Sequence, residues 1–179
     1  MALTSELSLD NLLQRLTSVA AELTAARYAA LGVIDPTGSH LERFITHGID
    51  EEARAAIGDP PHGRGILGAL IRDARPLRLH AITDDPRSVG FPPNHPPMTA
   101  FLGVPILLRG VAYGNLYLTD KAEGADFSEA DQEVVGMLAS QAAVGIENAR
   151  LYESATRWSR QLEALIEGSG ALARETDVD

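Results

Sequence analysis

His95 stands in the stretch Phe91-Pro-Pro-Asn-His-Pro-Pro-Met98, with prolines at 92, 93, 96 and 97. An imidazole can bind a metal, carry a proton or satisfy nearby carbonyls, and the residues alone leave these roles open at position 95. The prolines fix φ and remove backbone donors, so this loop has little conformational entropy left to lose when it presents a side chain. Tyr117 lies in the run Val111-Ala-Tyr-Gly-Asn-Leu-Tyr-Leu-Thr119. Period-two alternation puts Tyr113, Asn115 and Tyr117 on one face of that strand, and Ala112, Gly114, Leu116 and Leu118 on the other. The aliphatic face suits packing against helices and the tyrosine face suits a pocket, whose hydroxyl would come from Tyr117 or Tyr113. Ordinary sheet packing competes with that role, since tyrosine favours strands. The other histidines are His40, His47, His62 and His80. No two sit three or four apart, as a helical zinc site requires, and His80, on a short strand before the loop, is the only reserve ligand.

Several chemistries are excluded. The chain has no cysteine, hence no disulfide, thiolate zinc site, iron–sulfur cluster or cysteine nucleophile. Gly63, Gly65 and Gly68 lie near a helix start, but no GxxxxGK[ST] phosphate loop is present, and they read as turn and packing glycines. There is no GxSxG setting and no paired acid and base, so no catalytic residue is assigned and an enzyme is not expected. A net charge of −10, from 25 acidic against 15 basic residues, repels a phosphate backbone and argues against nucleic-acid binding. No run approaches the ~20 apolar residues of a membrane span. The N-terminus also lacks the order of a signal peptide, so a cytoplasmic location without membrane association is expected.

The elements that must position these residues follow from periodicity. Leu9, Leu12, Leu13, Leu16, Val19, Ala20 and Leu23 form one helical stripe. Residues 28–35 and 40–47 flank a Pro-Thr-Gly turn as a hairpin, and 101–108 and 111–119 form a second hairpin across Arg109-Gly110. Residues 50–57 and 65–72 read as short helices, 77–80 as a short strand, and 83–99 as a long irregular loop. Ser128 is an N-cap with Asp131 in the first turn, and the helix that follows runs to about Glu167, where Gly168-Ser-Gly170 is expected to stop it. At ~1.5 Å per residue its ~40 residues exceed what so small a domain can cover, so it must project or pair with another chain. The expected fold class is α+β: a central antiparallel sheet with the terminal helices on one face, and loops and short helices forming a ligand pocket on the other. A parallel homodimer through the terminal helices is expected, using Val134, Leu138, Ile146 and Leu151, although the apolar spacing departs from a clean heptad.

The strings FLGVPILLRGVAYGNLYLTDK and FSEADQEVVGMLASQAAVGIENARLY resemble the C-terminal half of GAF domains. The segments ARYAALGVID, GIDEEARAAIG, GILGALIRDARPLRLHAITDDPRSVGFPPNHPPM and FLGVP…GNLYLTDK are similar to the first GAF domain of DevS/DosT-type mycobacterial histidine kinases. That resemblance implies residues 1–25 as an N-terminal helix, 26–152 as the GAF sensory domain and 153–179 as a helical linker towards an absent output module, a histidine kinase. It also implies a b-type haem that reads out diatomic gas (O2, NO or CO) or redox state. His95 would be the axial iron ligand and Tyr117 the distal tyrosine, with Phe44, Phe91 and Met98 as the other cofactor-binding residues. The alternative is a GAF domain without haem that binds another small molecule or serves as a dimerising, signal-transmitting module. Asp120-Lys121 with Phe127 and Asp131 is similar to the Asn-Lys-Phe-Asp-Glu signature of cyclic-nucleotide GAF domains, but Asp120 replaces Asn and Gln132 replaces Glu, and the competing role is a turn with a helix cap. A methionine sulfoxide reductase on this fold is disfavoured by the lack of cysteine.

Overall fold

The computed structural model describes residues 2–58 and 65–175; His62 and Gly63 lie outside the described residues. In chain order the elements are α1 (Ala2–Thr24), β1 (Ala26–Ile34), β2 (Leu41–His47), α2 (Glu51–Ile57), α3 (Gly65–Asp73), β3 (Leu77–Leu79), β4 (Phe101–Leu108), β5 (Val111–Lys121) and α4 (Glu129–Glu175). The five strands form one sheet in the order β2-β1-β5-β4-β3, with every neighbouring pair antiparallel. This is the expected α+β architecture.

Turn chemistry sets both hairpins. Between β1 and β2 the Asp35 carboxylate accepts the backbone N–H groups of Thr37, Ser39 and His40, at 3.0, 2.8 and 3.0 Å. These hydrogen bonds, with those from the Thr37 hydroxyl, hold the Asp35 carboxyl well below the usual carboxylate range. Between β4 and β5, Arg109 and Gly110 both have positive φ, 52° and 80°, as a two-residue type I′ turn requires.

The sheet buries two unlike faces. One packs on α1 and α4 through Leu13, Ala20, Leu31, Leu102, Leu116, Leu118, Val135, Ala142 and Ile146, all buried. The other lies against α3 and the long loop, where Ile66, Leu70, Ile82, Met98 and Phe101 form a second, smaller cluster. The α1 stripe is narrower than its spacing implies: Leu9, Leu13, Leu16 and Ala20 are buried, whereas Leu12 and Leu23 are exposed.

Three expectations require correction. Tyr113 faces the helices and not the pocket: it belongs to the main core, and its hydroxyl donates to the Glu147 carboxylate on α4. The cause is a bulge. Ile106 pairs with Gly114 but Leu107 pairs with Ala112, so one extra residue in β5 breaks the alternation, as bulges do. Gly114 takes φ 153°, and a Cβ there would sit 1.8 Å from the Gly32 carbonyl oxygen. Second, α4 does not stop at Gly168 but runs to Glu175. Glycine inside a helix costs about 1 kcal/mol relative to alanine but keeps its N–H in the ladder, so good helix formers on either side carry the helix through. Third, Ile146 is 1% exposed within its own domain, so it is not available to a second chain.

The start of α4 follows the sequence. The Ser128 hydroxyl accepts the Asp131 N–H at 3.1 Å, and the Asp131 carboxylate accepts the Ser128 N–H at 2.7 Å, a reciprocal capping box. Lys121 Nζ adds an ion pair to Asp131 at 2.8 Å and lies 5.9 Å from the Phe127 ring centre. Asp120, Lys121, Phe127 and Asp131 thus make a structural lock between β5 and α4. Burial pushes the Asp131 carboxyl up, but the hydrogen bonds from Lys121 and Ser128 outweigh it and hold it below the usual range.

Two outcomes follow. Gly114→Ala should destabilise the domain by at least roughly 1–3 kcal/mol from backbone conformation alone, read as a lower urea midpoint at unchanged slope. A carboxyl depressed by folding contributes stability above its unfolded pKa and loses it as pH falls towards its folded one. Melting temperature should therefore fall with acid between about pH 5 and pH 2 less steeply in Asp131→Asn than in the parent chain; parallel curves would remove Asp131 from the acid transition.

Candidate functional site

Cross-strand pairing aligns the inner sheet face in rows. Phe44, Gly32 and Asn115 share one row, and Thr46, Ala30, Tyr117, Gly103 and Leu77 the next. Tyr28, Thr119, Phe101 and Leu79 share a third. The small residues Gly32, Ala30 and Gly103 leave a low floor between the larger side chains. In this structure α3 lies on that floor: a Cβ at Gly103 would meet the Leu70 side chain at 2.4 Å, and Asn115 Nδ2 donates to the Leu67 carbonyl at 3.3 Å.

Tyr117 and Met98 both join the inner cluster. The Tyr117 ring stacks on Phe101 with centroids 6.0 Å apart. Burial pushes its phenol well above the ordinary tyrosine range, so it stays a protonated donor. No hydrogen bond to that hydroxyl is made among the described residues. Met98 is buried, and its sulfur accepts from the Thr119 hydroxyl at 3.0 Å.

His95 and Phe91 form a second group in the loop. Their rings stack at 4.7 Å, His95 half-buried and Phe91 exposed. The local sequence dictates the bend. Pro93 pre-sets φ, Asn94 takes φ 63°, and the His95 N–H closes the turn on the Pro92 carbonyl at 3.3 Å, the pattern of a Pro-Asn turn. His95 Nδ1 lies 2.8 Å from the Pro96 carbonyl. A carbonyl only accepts, so Nδ1 carries the proton, and in the neutral ring Nε2 keeps its lone pair. Phe44 stands apart on β2, where the Arg54 guanidinium lies 6.0 Å from its ring and donates to its carbonyl at 3.0 Å.

Sequence reasoning missed the residues that hold the loop. The Asp120 carboxylate accepts the Thr99 and Ala100 N–H groups at 2.8 and 3.1 Å, pinning the end of the His95 loop to β5. Asn94 Nδ2 donates to the Ala56 carbonyl of α2 at 3.1 Å. Arg87 joins Asp85 at 2.7 Å and Asp73 of α3 at 3.2 Å, and its hydrogen bonds hold the Asp85 carboxyl down at about 2. The prolines mark 83–99 as an irregular loop in the sequence, but Arg87 and Asn94 find partners on other elements, Asp73 on α3 and the Ala56 carbonyl on α2.

His80, the reserve ligand, is exposed and pairs with Asp126 at 2.8 Å; that hydrogen bond raises its pKa above the ordinary histidine value. It lines a groove of about 850 Å³ with His47, Arg27, Asp120 and Lys121, at the end of the sheet. A second hollow, about 500 Å³, lies between α3 and β3 beside Arg75 and Arg87. None of His95, Tyr117, Phe44, Phe91 or Met98 lines either. Among the described residues no three histidines or carboxylates converge as a metal site, and no helix is long and apolar enough to cross a membrane.

Solved structures share this architecture. The GAF domain of a phosphoenolpyruvate-protein phosphotransferase from Coxiella burnetii superposes with a TM-score of 0.70 at 22% identity, over 82% of this chain and 86% of that one. The free methionine-R-sulfoxide reductase from Neisseria meningitidis, in complex with its substrate, gives 0.61 at 18% identity, over 78% of each chain. The second GAF domain of DevS from Mycobacterium smegmatis gives 0.57 at 21% identity, over 84% of this chain and 99% of that one. At these identities the likeness speaks for the fold. The GAF domain family model matches residues 6–147, which takes in most of α1, the whole sheet and the first turns of α4, and the chain belongs to the GAF domain family.

Proposed function

We propose that the chain is the sensory module of a larger signalling protein, with its ligand site between the inner sheet face, α3 and the His95 loop, and with haem b as the ligand. One observation carries this reading: the Pro96 carbonyl fixes the His95 ring with Nδ1 protonated. That is how a coordinating histidine is commonly oriented, its second nitrogen tied to a carbonyl so that the first points its lone pair outwards. The chemistry of the donor set fits the group. One imidazole without further ligands does not hold a bare ion, but it suffices for an iron already held by a macrocycle.

His95 would hold the group, and Met98, Phe91 and Phe44 would meet it with apolar surface. A bound haem would supply an iron able to bind a diatomic gas. Tyr117 offers from the sheet a protonated hydroxyl on a half-buried side chain, able to donate to a polar ligand. Four residues further along β5, Lys121 grips Asp131 at the head of α4, so a shift of β5 on ligand binding moves the output helix. Such coupling requires both the pocket and the helix to differ between the same two arrangements.

A second reading is favoured by one feature. Leu70 lies over Gly103, and any ligand on that part of the floor has to displace α3. Under this reading the pocket stays closed or takes a smaller molecule, and the domain works as a dimerising transmitter.

Expression with a haem precursor, followed by an absorption spectrum, separates the two. A Soret band that disappears in His95→Ala is the expected result; protein that stays colourless after haem addition leaves the second reading. In the haem-loaded protein, Tyr117→Phe should change affinity for oxygen or CO by roughly 2- to 10-fold, the worth of one hydrogen bond. Unchanged affinity for every gas would take Tyr117 out of the mechanism.

A further inference from the structure

The cover over the inner face is held to the sheet at two polar places of unequal strength, both on β5. At the end of the strand the Asp120 carboxylate accepts the Thr99 and Ala100 N–H groups at 2.8 and 3.1 Å, and beside it the Thr119 hydroxyl donates to the Met98 sulfur. Hydrogen bonds to an ionised carboxylate are strong. In the middle of the strand the neutral Asn115 amide donates to the Leu67 carbonyl of α3 at 3.3 Å, beyond the usual range for such a bond. Among the described residues it is the one hydrogen bond between α3 and the sheet, and the remaining contact is apolar, through Ile66 and Leu70. Five residues of strand set the two places ~17 Å apart.

α3 is joined to the loop at both ends. Its first residue, Gly65, has φ 65°, and a Cβ there would lie 2.9 Å from the Arg87 carbonyl oxygen. Its last, Asp73, meets the Arg87 guanidinium at 3.2 Å, and Asp85 holds the same guanidinium at 2.7 Å. Helix and loop therefore make one cover.

Parting Asn115 from Leu67 costs the two partners unequally. Leu67 lies inside α3, so its carbonyl still accepts from the helix ladder when the amide lets go. Asn115 is 4% exposed. Its Oδ1 lies over Gly32, 3.3 Å from where a Cβ would stand, and takes no hydrogen bond among the described residues. An amide has two donors and two acceptor sites, so a single long bond leaves most of its capacity unused even when the cover is closed. A buried polar group without a partner is unfavourable, and asparagine is a poor strand former. Packing in the sheet does not call for this residue; holding α3 does.

We infer that α3 and the His95 loop form a single flap over the inner face, hinged at Asp120 and latched at Asn115. The weaker place opens first, and the amide it frees is the group that a molecule beneath α3 has to satisfy. This rests on the pocket lying under α3 and not on haem being its occupant.

Residue-resolved hydrogen exchange on the ligand-free 179-residue chain reads the flap directly, and the result is independent of whether a Soret band forms. A nine-residue helix lifted off its sheet does not hold its own ladder, so opening exposes the amides of Ala69 to Asp73. Asn115→Ala should speed their exchange by roughly 2- to 10-fold, the worth of one neutral hydrogen bond. Asn115→Asp keeps the shape but loses the donor and sets a carboxylate against the Leu67 oxygen. Exchange should rise further at neutral pH and, after correction for intrinsic rates, fall back once that carboxyl is protonated. The Thr99 and Ala100 amides, and those of β1, should stay protected in both variants. Equal α3 exchange in all three chains would overturn the latch. So would Asn115→Asp matching the parent while Asn115→Ala differs, because side-chain volume alone would then be at work. Thr99 and Ala100 opening in step with α3 would overturn the hinge.

Discussion

The rest of this structure depends on one sheet having to bury two faces of different character. The outer face is aliphatic and meets two long helices, α1 and α4. The inner face has a floor of small residues and is covered by a single short helix and a loop. Area-proportional burial makes the first contact the main source of stability. The second contact is the smaller of the two, and a small contact is where a domain opens at least cost.

The two faces are connected by chemistry at the strand ends. Asp120 pins the end of the His95 loop to β5, and the next residue, Lys121, grips the first turn of α4. Adjacent side chains on one strand therefore hold the His95 loop and α4. The positions that are similar to the cyclic-nucleotide signature serve here as a lock between elements. The residues at this joint are charged and only partly exposed, so each is tied to backbone N–H groups or an opposite charge.

Much of the architecture was legible because local chemistry determined it. Arg109-Gly110, Pro36-Thr-Gly38 and the Ser128 cap each state a turn or an end within four residues. What could not be read was non-local. The bulge that turns Tyr113 to the helices arises from the close approach of Gly114 to Gly32 on another strand. The core-facing and outward stripes of α4 overlap in sequence, and only burial separates Ile146 from Val144. At the candidate site the proline brace around His95 was visible, while its anchors, Asp120, Asn94 and Arg87, act across the fold. Gly168 misled because glycine weakens a helix without being obliged to end it.

The strand order leaves β2 and β3 as the sheet's two borders. An open border offers rows of unpaired backbone groups on which foreign strands can grow. On the β3 side only three residues are available, and Arg78 of that strand is tethered to Gln132 and to the Phe127 carbonyl. On the β2 side the carbonyls of Phe44 and Thr46 are already taken by the side chains of Arg54 and Gln14. Those two polar side chains occupy acceptors that a foreign strand would need in order to extend the sheet at this border.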